Sequence, residues 1–348
     1  MHMADALVSP AVGGAMWAVS AGVIGYCSTR VDKSLDDRTV PLMGVLGAFV
    51  FAVQMINFAI PATGSSGHLG GGLLLAVLLG PYAAFLTISS ILTVQALLFA
   101  DGGILALGCN IFNLGFFPCI IVYPLIYKPI TRTNPSSTGI FIGSLTAAII
   151  GLQLGSLGVV LQTLLSGITD MSMQTFILFM QPIHLAIGIV EGLATASIIL
   201  FISNARPDIL HFPMHSGRYS KVPIRKPLAL FLFAALSTGC VLSLFASNLP
   251  DGLEWSLFKT TGTEEVTGPT STIHDTLAGV QEKTALFPAY GFKEPAAHLP
   301  SGRNPFSLAI TEESGTSLSG FTGSLLTLLI ASLVGILLKR RKIPGRNS

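Results

Sequence analysis

The second residue of the chain is a histidine, and its place beside a free α-amine gives it unusual chemistry. The amine of Met1, the amide nitrogen of His2 and the Nδ1 atom of the His2 imidazole can bind one metal ion together. The amine and amide close a five-membered chelate ring, and the amide and imidazole close a six-membered one. Three nitrogens in one plane suit square-planar Ni(II) or Cu(II) better than tetrahedral Zn(II). A fourth ligand is needed, and composition alone also allows an incidental terminal histidine.

A second histidine, His68, lies in the glycine-rich segment Ala62–Gly72, just before a short apolar stretch. The glycines of this segment let backbone and side chains approach each other closely. A neutral imidazole here can supply the fourth nitrogen of the metal site. The competing interpretation is a loop histidine hydrogen-bonded to backbone, and the residues alone leave both open.

Several polar residues of a later apolar stretch fall on one helical face. These are His184, Gly188, Glu191, Gly192 and Thr195. A carboxylate inside a membrane is costly, so we expect Glu191 to face the bundle interior and a partner. The face is either an ion or proton path, or it holds a structural hydrogen bond from Glu191 to Thr195 or His184.

Further polar groups flank or follow the start of the fifth apolar stretch: the segment Asp101-Gly102-Gly103, Asn110 and Asn113. Amides inside an apolar helix must find hydrogen-bonding partners. They either orient a ligand histidine or form hydrogen bonds between helices.

An alternative interpretation of the Gly64–Gly67 segment and His184 is a proteolytic enzyme. The segment Gly64-Ser65-Ser66-Gly67 fits the G-x-S-G pattern of rhomboid-type intramembrane serine proteases, with Ser66 as nucleophile and His184 as base. Against this alternative, Ser66 lies in a loop before its apolar stretch. The glycines that follow His184 are also more widely spaced than in the rhomboid pattern.

Membrane-spanning helices are the elements that must position these residues. Of the 348 residues, 51% are hydrophobic and only 10% are charged, and the mean hydropathy is +0.70. A soluble domain carries about 25% charged residues, which excludes a soluble enzyme. The sequence predicts an all-α membrane protein. Its net charge of +2 says nothing about nucleic acid, and no nucleic-acid partner is predicted. The four cysteines have no metal or redox spacing and are predicted to be apolar core residues.

Nine membrane spans can be drawn from the apolar runs. They lie near 11–29, 41–59, 70–80, 83–100, 104–127, 138–164, 176–203, 228–246 and 320–338. Gly80-Pro81 separates the third from the fourth, so the alternative to two separate spans is one broken element. Lys and Arg residues concentrate in alternate connections, which predicts the N-terminus outside and the C-terminus inside. The first span is preceded by no basic residue, so we expect a retained helix, not a cleaved signal peptide, with Met1 as the mature N-terminus.

The predicted organisation changes near residue 205. Residues 1–205 form a membrane domain of seven spans, and 206–227 a basic cytoplasmic linker. A two-span module, 228–338, follows with an extracytoplasmic loop at 247–319, and 339–348 form a basic cytoplasmic tail. The chain lacks a G-x-x-x-x-G-K-[ST] loop for ATP, so active transport would draw on a partner or an ion gradient.

The combination of these features resembles the NikM/CbiM family. The residues that carry the resemblance are Met1-His2-Met3-Ala4-Asp5-Ala6-Leu7 with Ser9-Pro10, Gly64–Gly72 with His68, Asn110-Ile111-Phe112-Asn113, and His184 through Glu191-Gly192. Members of this family are the metal-binding S components of energy-coupling-factor (ECF) transporters for nickel or cobalt. Residues 228–338 resemble the companion NikN-like component, and Pro250-Asp251-Gly252-Leu253-Glu254 matches the name-giving motif of the PDGLE domain.

The resemblance implies a function and a ligand set. By this likeness Met1, His2 and His68 bind Ni(II), or less favourably Co(II), as transported substrate, and no catalytic cofactor is expected. The implied partners are a transmembrane coupling subunit (EcfT-like) and cytoplasmic ABC ATPases, in a prokaryotic plasma membrane. Where many members continue Met-His with Ile, then Pro or an acidic residue and Gly, this chain has Met3-Ala4-Asp5-Ala6, which leaves the chelating atoms unchanged.

The C-terminal module is expected to serve metal loading or coupling more than binding. Its loop lies on the predicted side of Met1 and His68, and its two histidines, His274 and His298, are expected to be solvated among acidic residues. Small-residue stripes on the first span, Gly14/Ala18/Gly22 and Ala11/Ala15, mark a close helix contact, either within the chain or with a coupling subunit.

Overall fold

The computed structural model describes residues 1–31, 38–133, 136–168, 171–206, 224–262, 271–293 and 305–340. The described chain is mostly helical, as the sequence predicts. Its helices are α1 (Pro10–Val31), α2 (Thr39–Gln54), α3 (Gly72–Leu79), α4 (Pro81–Leu98), α5 (Leu107–Ile111), a π-helical segment (Phe112–Tyr127), α6 (Lys128–Thr133), α7 (Ser137–Ser166), α8 (Met173–Ala205), α9 (Arg225–Cys240), α10 (Gly252–Thr261), α11 (Thr272–Thr284) and α12 (Pro305–Arg340). Short 3₁₀ turns lie at Asp5–Leu7, Leu242–Phe245 and Pro288–Tyr290. The basic linker and the tail fall almost wholly outside the described residues.

Six of the described helical stretches are long and apolar enough to cross a bilayer. They are Pro10–Val31, Pro81–Leu98, Leu107–Arg132, Ser137–Ser166, Met173–Ala205 and Ser314–Arg340. The shorter helices α2 and α9, each of 16 residues, coincide with two further predicted spans. The helical membrane fold is therefore confirmed, while the count of nine crossings and their sidedness stay predictions.

The predicted third span is a short helix. With eight residues, α3 rises only roughly 12 Å, less than half of a hydrocarbon core of about 30 Å. Gly80, with φ 77°, ends it, and Pro81 begins α4. The two are thus one broken element, because the left-handed glycine turns the chain between them.

A small hairpin precedes this broken element. Strands β1 (Phe58–Ile60) and β2 (Ser65–Gly67) pair antiparallel, with Phe58 opposite Gly67 and Ile60 opposite Ser65. β2 is buried along its whole length and ends directly before His68. The hairpin therefore fixes where the histidine enters the bundle.

Helix α7 packs along α8 and along the π-helical segment, and α3 contacts all three around the interior of the N-terminal domain. The polar face predicted on α8 is confirmed, since His184, Glu191 and Thr195 are all buried there. The π-helical segment contains Pro118 and Pro124, which lack the N–H groups that a regular α-helix needs.

The C-terminal module packs against the side and one end of this domain. Helices α9 and α12 contact each other and α2, and α12 also contacts α4. The connecting segment folds over the end of the bundle, where α10 contacts α8 and α11 contacts α4. The same end carries the N-terminus and the hairpin.

Candidate metal centre

The first eight residues form an arm that inserts into the end of the bundle. Met1, Met3, Leu7 and Val8 are all buried. Asn110 pairs with the main chain of Met3 at both ends: its Oδ1 accepts from Met3 N at 2.8 Å, and its Nδ2 donates to Met3 O at 3.1 Å. The side-chain amide of Asn110 thus pairs with both main-chain groups of Met3, as a neighbouring β-strand would. It therefore fixes the residue next to His2.

A second set of contacts holds the rest of the arm. Asp5 Oδ1 accepts from Ala106 N at 2.9 Å. On the other side, His274 Nε2 lies 3.2 Å from Asp5 O and 3.0 Å from Val8 O. Both neighbours are acceptors, so Nε2 carries a proton and donates it. The expectation that His274 is solvated is wrong: its side chain is only 8% exposed, because α11 presses it onto the arm. His298 lies outside the described residues.

His68 faces the N-terminal amine. Its Nε2 lies 3.1 Å from Met1 N, and its Nδ1 lies 3.2 Å from Leu69 O. A proton on Nδ1 satisfies this carbonyl and leaves the Nε2 lone pair directed at the amine, as metal-ligating histidines are oriented. Burial, and then the positive amine and His2, lower the pKa of His68 from 6.5 to about 3. The imidazole is therefore neutral at physiological pH.

His2 stacks on His68. The ring centroids are 5.0 Å apart and the planes differ by 2°. His2 Nδ1 lies 3.1 Å from Asp101 Oδ1, and the buried His2 Nε2 has no hydrogen-bond partner among the described residues. The three residues predicted from the sequence, Met1, His2 and His68, are therefore in mutual contact in the folded chain.

Asp101, which contacts His2, is itself held by a residue of the C-terminal module. Tyr290 Oη donates to Asp101 Oδ2 at 2.5 Å. Burial alone would raise the pKa of Asp101, but His2 and the hydroxyl of Tyr290 outweigh it and hold that pKa well below its usual range. Asp101 is thus a fixed anion beside the His2 ring.

The glycine segment after His68 is anchored by Glu191. Gly70 N donates to Glu191 Oε2 and Gly71 N to Glu191 Oε1, each at 3.0 Å, and Gly70 O accepts from Gln54 Nε2 at 2.7 Å. The prediction that Glu191 bonds to Thr195 or His184 is wrong, because its carboxylate accepts hydrogen bonds from the main chain of residues 68–71. We call these residues the ligand loop, since they include the predicted ligand His68. Gly71 has φ 73° and its α-carbon faces Val50, so both conformation and space require glycine there.

Asp251 of the PDGLE motif reaches the same amine. Its Oδ2 lies 2.6 Å from Met1 N. Burial opposes its ionisation, but the positive N-terminus and His68 outweigh it and keep the pKa of Asp251 below its usual range. Sequence reasoning did not place Asp251, His274 or Tyr290 at the site. The PDGLE motif was the one available signal, and it does not reveal which end of the bundle its aspartate meets.

The two residues of the proteolytic alternative have other partners. Ser66 Oγ donates to Leu249 O at 2.7 Å, and His184 Nδ1 donates to Met180 O at 2.8 Å. Among the described residues Ser66 and His184 share no hydrogen bond. His184 instead lines a small cavity with Met1 and His68.

The described residues contain no group of three or more His, Cys, Asp or Glu side chains arranged to hold a metal. Main-chain nitrogen is present beside the two imidazoles: the N-terminal amine lies 3.1 Å from His68 Nε2, and the amide of His2 follows it in the chain.

Long apolar helices around a buried, nitrogen-rich end define a multi-pass membrane protein, and comparison with known proteins gives its class as metal transport. Residues 2–209 match the family described as "Cobalt uptake substrate-specific transmembrane region", and residues 225–340 match the PDGLE domain. The chain belongs to this CbiM family of nickel and cobalt transport proteins, with a PDGLE domain fused behind it. The resemblance predicted from the sequence is confirmed.

Individual relatives have the same fused form. The chain is 33% identical to the putative fused nickel transport protein NikMN of Archaeoglobus fulgidus, over 69% of this chain and 79% of the relative. It is 27% identical to the fused nickel transport protein NikMN of Rhodobacter capsulatus, over 87% of this chain and 84% of the relative. A solved truncated transition metal transporter is 31% identical with a TM-score of 0.53, covering 59% of this chain and 99% of that one.

Proposed function

We propose that this protein is the substrate-binding component of an ATP-driven importer of the ECF type, with Ni(II) preferred over Co(II). The ion is the transported substrate, and the protein itself performs no covalent chemistry. Four nitrogens bind it: the amine of Met1, the amide of His2, the imidazole of His2 and Nε2 of His68.

The contact between Met1 N and His68 Nε2 carries this proposal. Metal–imidazole bonds are about 2.0–2.1 Å long, so two adjacent nitrogens of a square-planar centre lie roughly 2.9 Å apart. The observed distance of 3.1 Å is close to that edge. The amine and the imidazole therefore already stand as neighbouring ligands, although they come from positions 67 residues apart.

The His2 ring needs one rotation to complete the set. A half turn about the Cβ–Cγ bond exchanges the positions of Nδ1 and Cδ2. It also moves Nε2 to the position that Cε1 held, next to the place that Nδ1 has left. In this orientation Nδ1 no longer faces Asp101 Oδ1 and is released for the metal, while Nε2, which has no hydrogen-bond partner among the described residues, comes closer to the carboxylate. A carboxylate behind a ligand imidazole is a frequent arrangement in metal sites.

Nickel is favoured by the ligand set. An amine, a deprotonated amide and two imidazoles form a strong planar field, which suits the square-planar geometry of Ni(II). Both fused relatives described above bear nickel in their names. Two other relatives are named putative cobalt transport protein CbiM. Co(II) is therefore kept as the second proposed substrate.

The proposed partners are a transmembrane coupling subunit and paired cytoplasmic ATPases, in a prokaryotic plasma membrane. Gly14, Ala18 and Gly22 lie on the exposed side of α1. Gly14 and Gly22 have open space where a side chain would be. Close helix packing in lipid uses such small residues, so this face is the proposed contact for the coupling subunit.

Blocking the N-terminus tests the proposal. Acylation or a short extension before Met1 turns the amine into an amide, a poorer ligand that must lose a proton to bind. We expect nickel to be absent from the purified extended protein and present in protein with a free Met1. The matched control carries the same extension after Ser348 and should bind nickel normally. Equal nickel content in both extended proteins, measured by elemental analysis, would place the metal elsewhere.

A further inference from the structure

The PDGLE motif lies against the ligand loop. Ser66 N donates to Pro250 O at 2.8 Å, and Ser66 Oγ donates to Leu249 O at 2.7 Å. Trp255 Nε1, one turn into α10, donates to Thr63 O at 3.0 Å. The start of α10 is therefore fixed to the same hairpin that presents His68.

The two oxygens of Asp251 have different surroundings. Oδ1 caps α10, accepting from Leu253 N at 2.8 Å and Glu254 N at 2.9 Å. Glu254 Oε2 returns a bond to Asp251 N at 2.9 Å, which completes a capping box. These bonds fix the carboxylate and leave Oδ2 directed at Met1 N, 2.6 Å away.

Gly252 permits this approach. A β-carbon at Gly252 would lie 3.0 Å from Ile187 Cδ1 and 3.1 Å from His184 Cε1. Gly252 also lines the small cavity shared by Met1, His68 and His184. A larger residue after Asp251 would fit only if Ile187 and His184 gave way by a few tenths of an ångström or α10 moved outward.

We propose that Asp251 is a direct ligand of the bound metal ion, with Oδ2 in an apical position over the four nitrogens. The assignment rests on the function proposed above. A divalent ion with one deprotonated amide carries a net positive charge, and a buried charge needs a counter-charge. Asp251 already touches one of the four ligand nitrogens, so the ion that replaces the amine proton meets Oδ2 without rearrangement of α10. The C-terminal module then forms part of the metal centre.

The test compares Asp251→Asn with Glu254→Gln in full-length protein with a free N-terminus. Asn caps helices as well as Asp does, so the variant keeps α10 while removing the charged oxygen. Glu254→Gln removes a charge from the same motif and keeps the capping-box bond. We expect Asp251→Asn to weaken Ni(II) binding by at least about 100-fold, more than the loss of a residue that only positions a ligand, and to shift the ligand-field absorption of the bound ion, because the number of ligands changes. Glu254→Gln should match wild type in both.

Other results decide against the assignment in distinct ways. Wild-type affinity and spectrum in Asp251→Asn would show that the aspartate is a helix cap only. Tighter nickel binding would show that Asp251 competes with the ion by holding the protonated amine. Wild-type protein that binds no nickel would overturn the proposed function, and the ligand assignment with it.

Discussion

At the scale of single residues, the site depends on which ring nitrogen of each histidine is free. His68 has Nδ1 at Leu69 O and Nε2 at the amine of Met1, so the fold directs its lone pair inward. His2 has Asp101 on one side, and its Nε2 has no hydrogen-bond partner among the described residues. In the proposed metal site the His68 imidazole is therefore already in place, and the His2 imidazole would complete the square plane by rotating.

Replacing His68 by Ala should abolish high-affinity nickel binding and leave the fold intact. Losing even a residue behind a ligand costs roughly 10–100-fold in metal affinity, so losing the ligand itself should cost at least about 100-fold. Ser66→Ala is the matched variant, since it removes the hydrogen bonds from Ser66 Oγ to Leu249 O and Pro250 O and no proposed ligand, so it should keep binding. Equilibrium dialysis measures both. A protease would show the reverse order, with Ser66→Ala abolishing cleavage of a membrane substrate and His68→Ala tolerated.

The neutral state of His68 also predicts a pH dependence of stability. Its pKa is about 3 in the folded protein against 6.5 for the free side chain. Above pH 6.5 both states are neutral and nothing is gained. Below it the unfolded chain takes up a proton that the folded chain refuses, so stability falls towards pH 3, on the order of 2 kcal/mol by pH 5. Thermal unfolding of metal-free protein should show a smaller loss between pH 7 and 5 in His68→Gln, and an identical loss would contradict this origin.

At the scale of elements, the hairpin and α8 together hold the ligand loop. Strand β2 ends directly before His68. Glu191 of α8 accepts hydrogen bonds from the amides of Gly70 and Gly71, which follow His68 closely in the chain. A loop of glycines has little stiffness of its own. Its geometry is therefore imposed by a carboxylate from a helix more than a hundred residues away in sequence.

Glu191→Ala should lower both the thermal stability and the nickel affinity. Each buried N–H left without an acceptor costs about 1–3 kcal/mol, and the variant leaves two. The control is Ser197→Ala, an exposed position on α8 whose Oγ bonds only to Leu193 O within the helix. Melting in detergent and nickel titration are the measurements. Unchanged affinity with lowered stability would show that the loop keeps its shape without Glu191.

At the scale of the whole molecule, the C-terminal module covers the end of the bundle that holds the proposed metal site. Asp251 contacts Met1, Tyr290 contacts Asp101, and His274 contacts the arm at Asp5 and Val8. Gln281 adds a bond from α11 to Gly102 O at 2.8 Å. The module therefore encloses the ligands from one side, and a metal ion reaches them by passing it or displacing it.

Truncation after about residue 220 should leave a folded N-terminal domain that retains Met1, His2 and His68. We expect it to bind nickel more weakly than full-length protein, by the contribution of Asp251, and to support less uptake into cells. Metal titration of purified protein and cellular nickel accumulation separate the two effects. Full-length affinity in the truncated protein, with uptake lost, would assign the module to loading alone. Complete loss of binding in a folded truncated protein would show that the nitrogens need the module to come together.

The sequence by itself determined the class of fold and was enough to predict the candidate ligands Met1, His2 and His68. Composition and apolar runs suffice for a helical membrane protein, because lipid demands about twenty consecutive apolar residues per helical span. Met1 and His2 are adjacent, so their chelate geometry follows from covalent structure alone. The Gly-His segment and the PDGLE motif were visible for the same reason: they are local in the chain.

Only the tertiary structure decided which residues meet across long separations. Asn110 on Met3, Glu191 on Gly70 and Gly71, His274 on the arm and Asp251 on the amine join positions between 107 and 269 residues apart. Helical periodicity predicted that Glu191 lies on the inward face of α8. Several elements pack against that face, and periodicity does not tell which of them provides the hydrogen-bond donors for Glu191. Packing chooses, because every buried N–H and carboxylate must find its partner within about 3 Å, and only the folded chain fixes those distances.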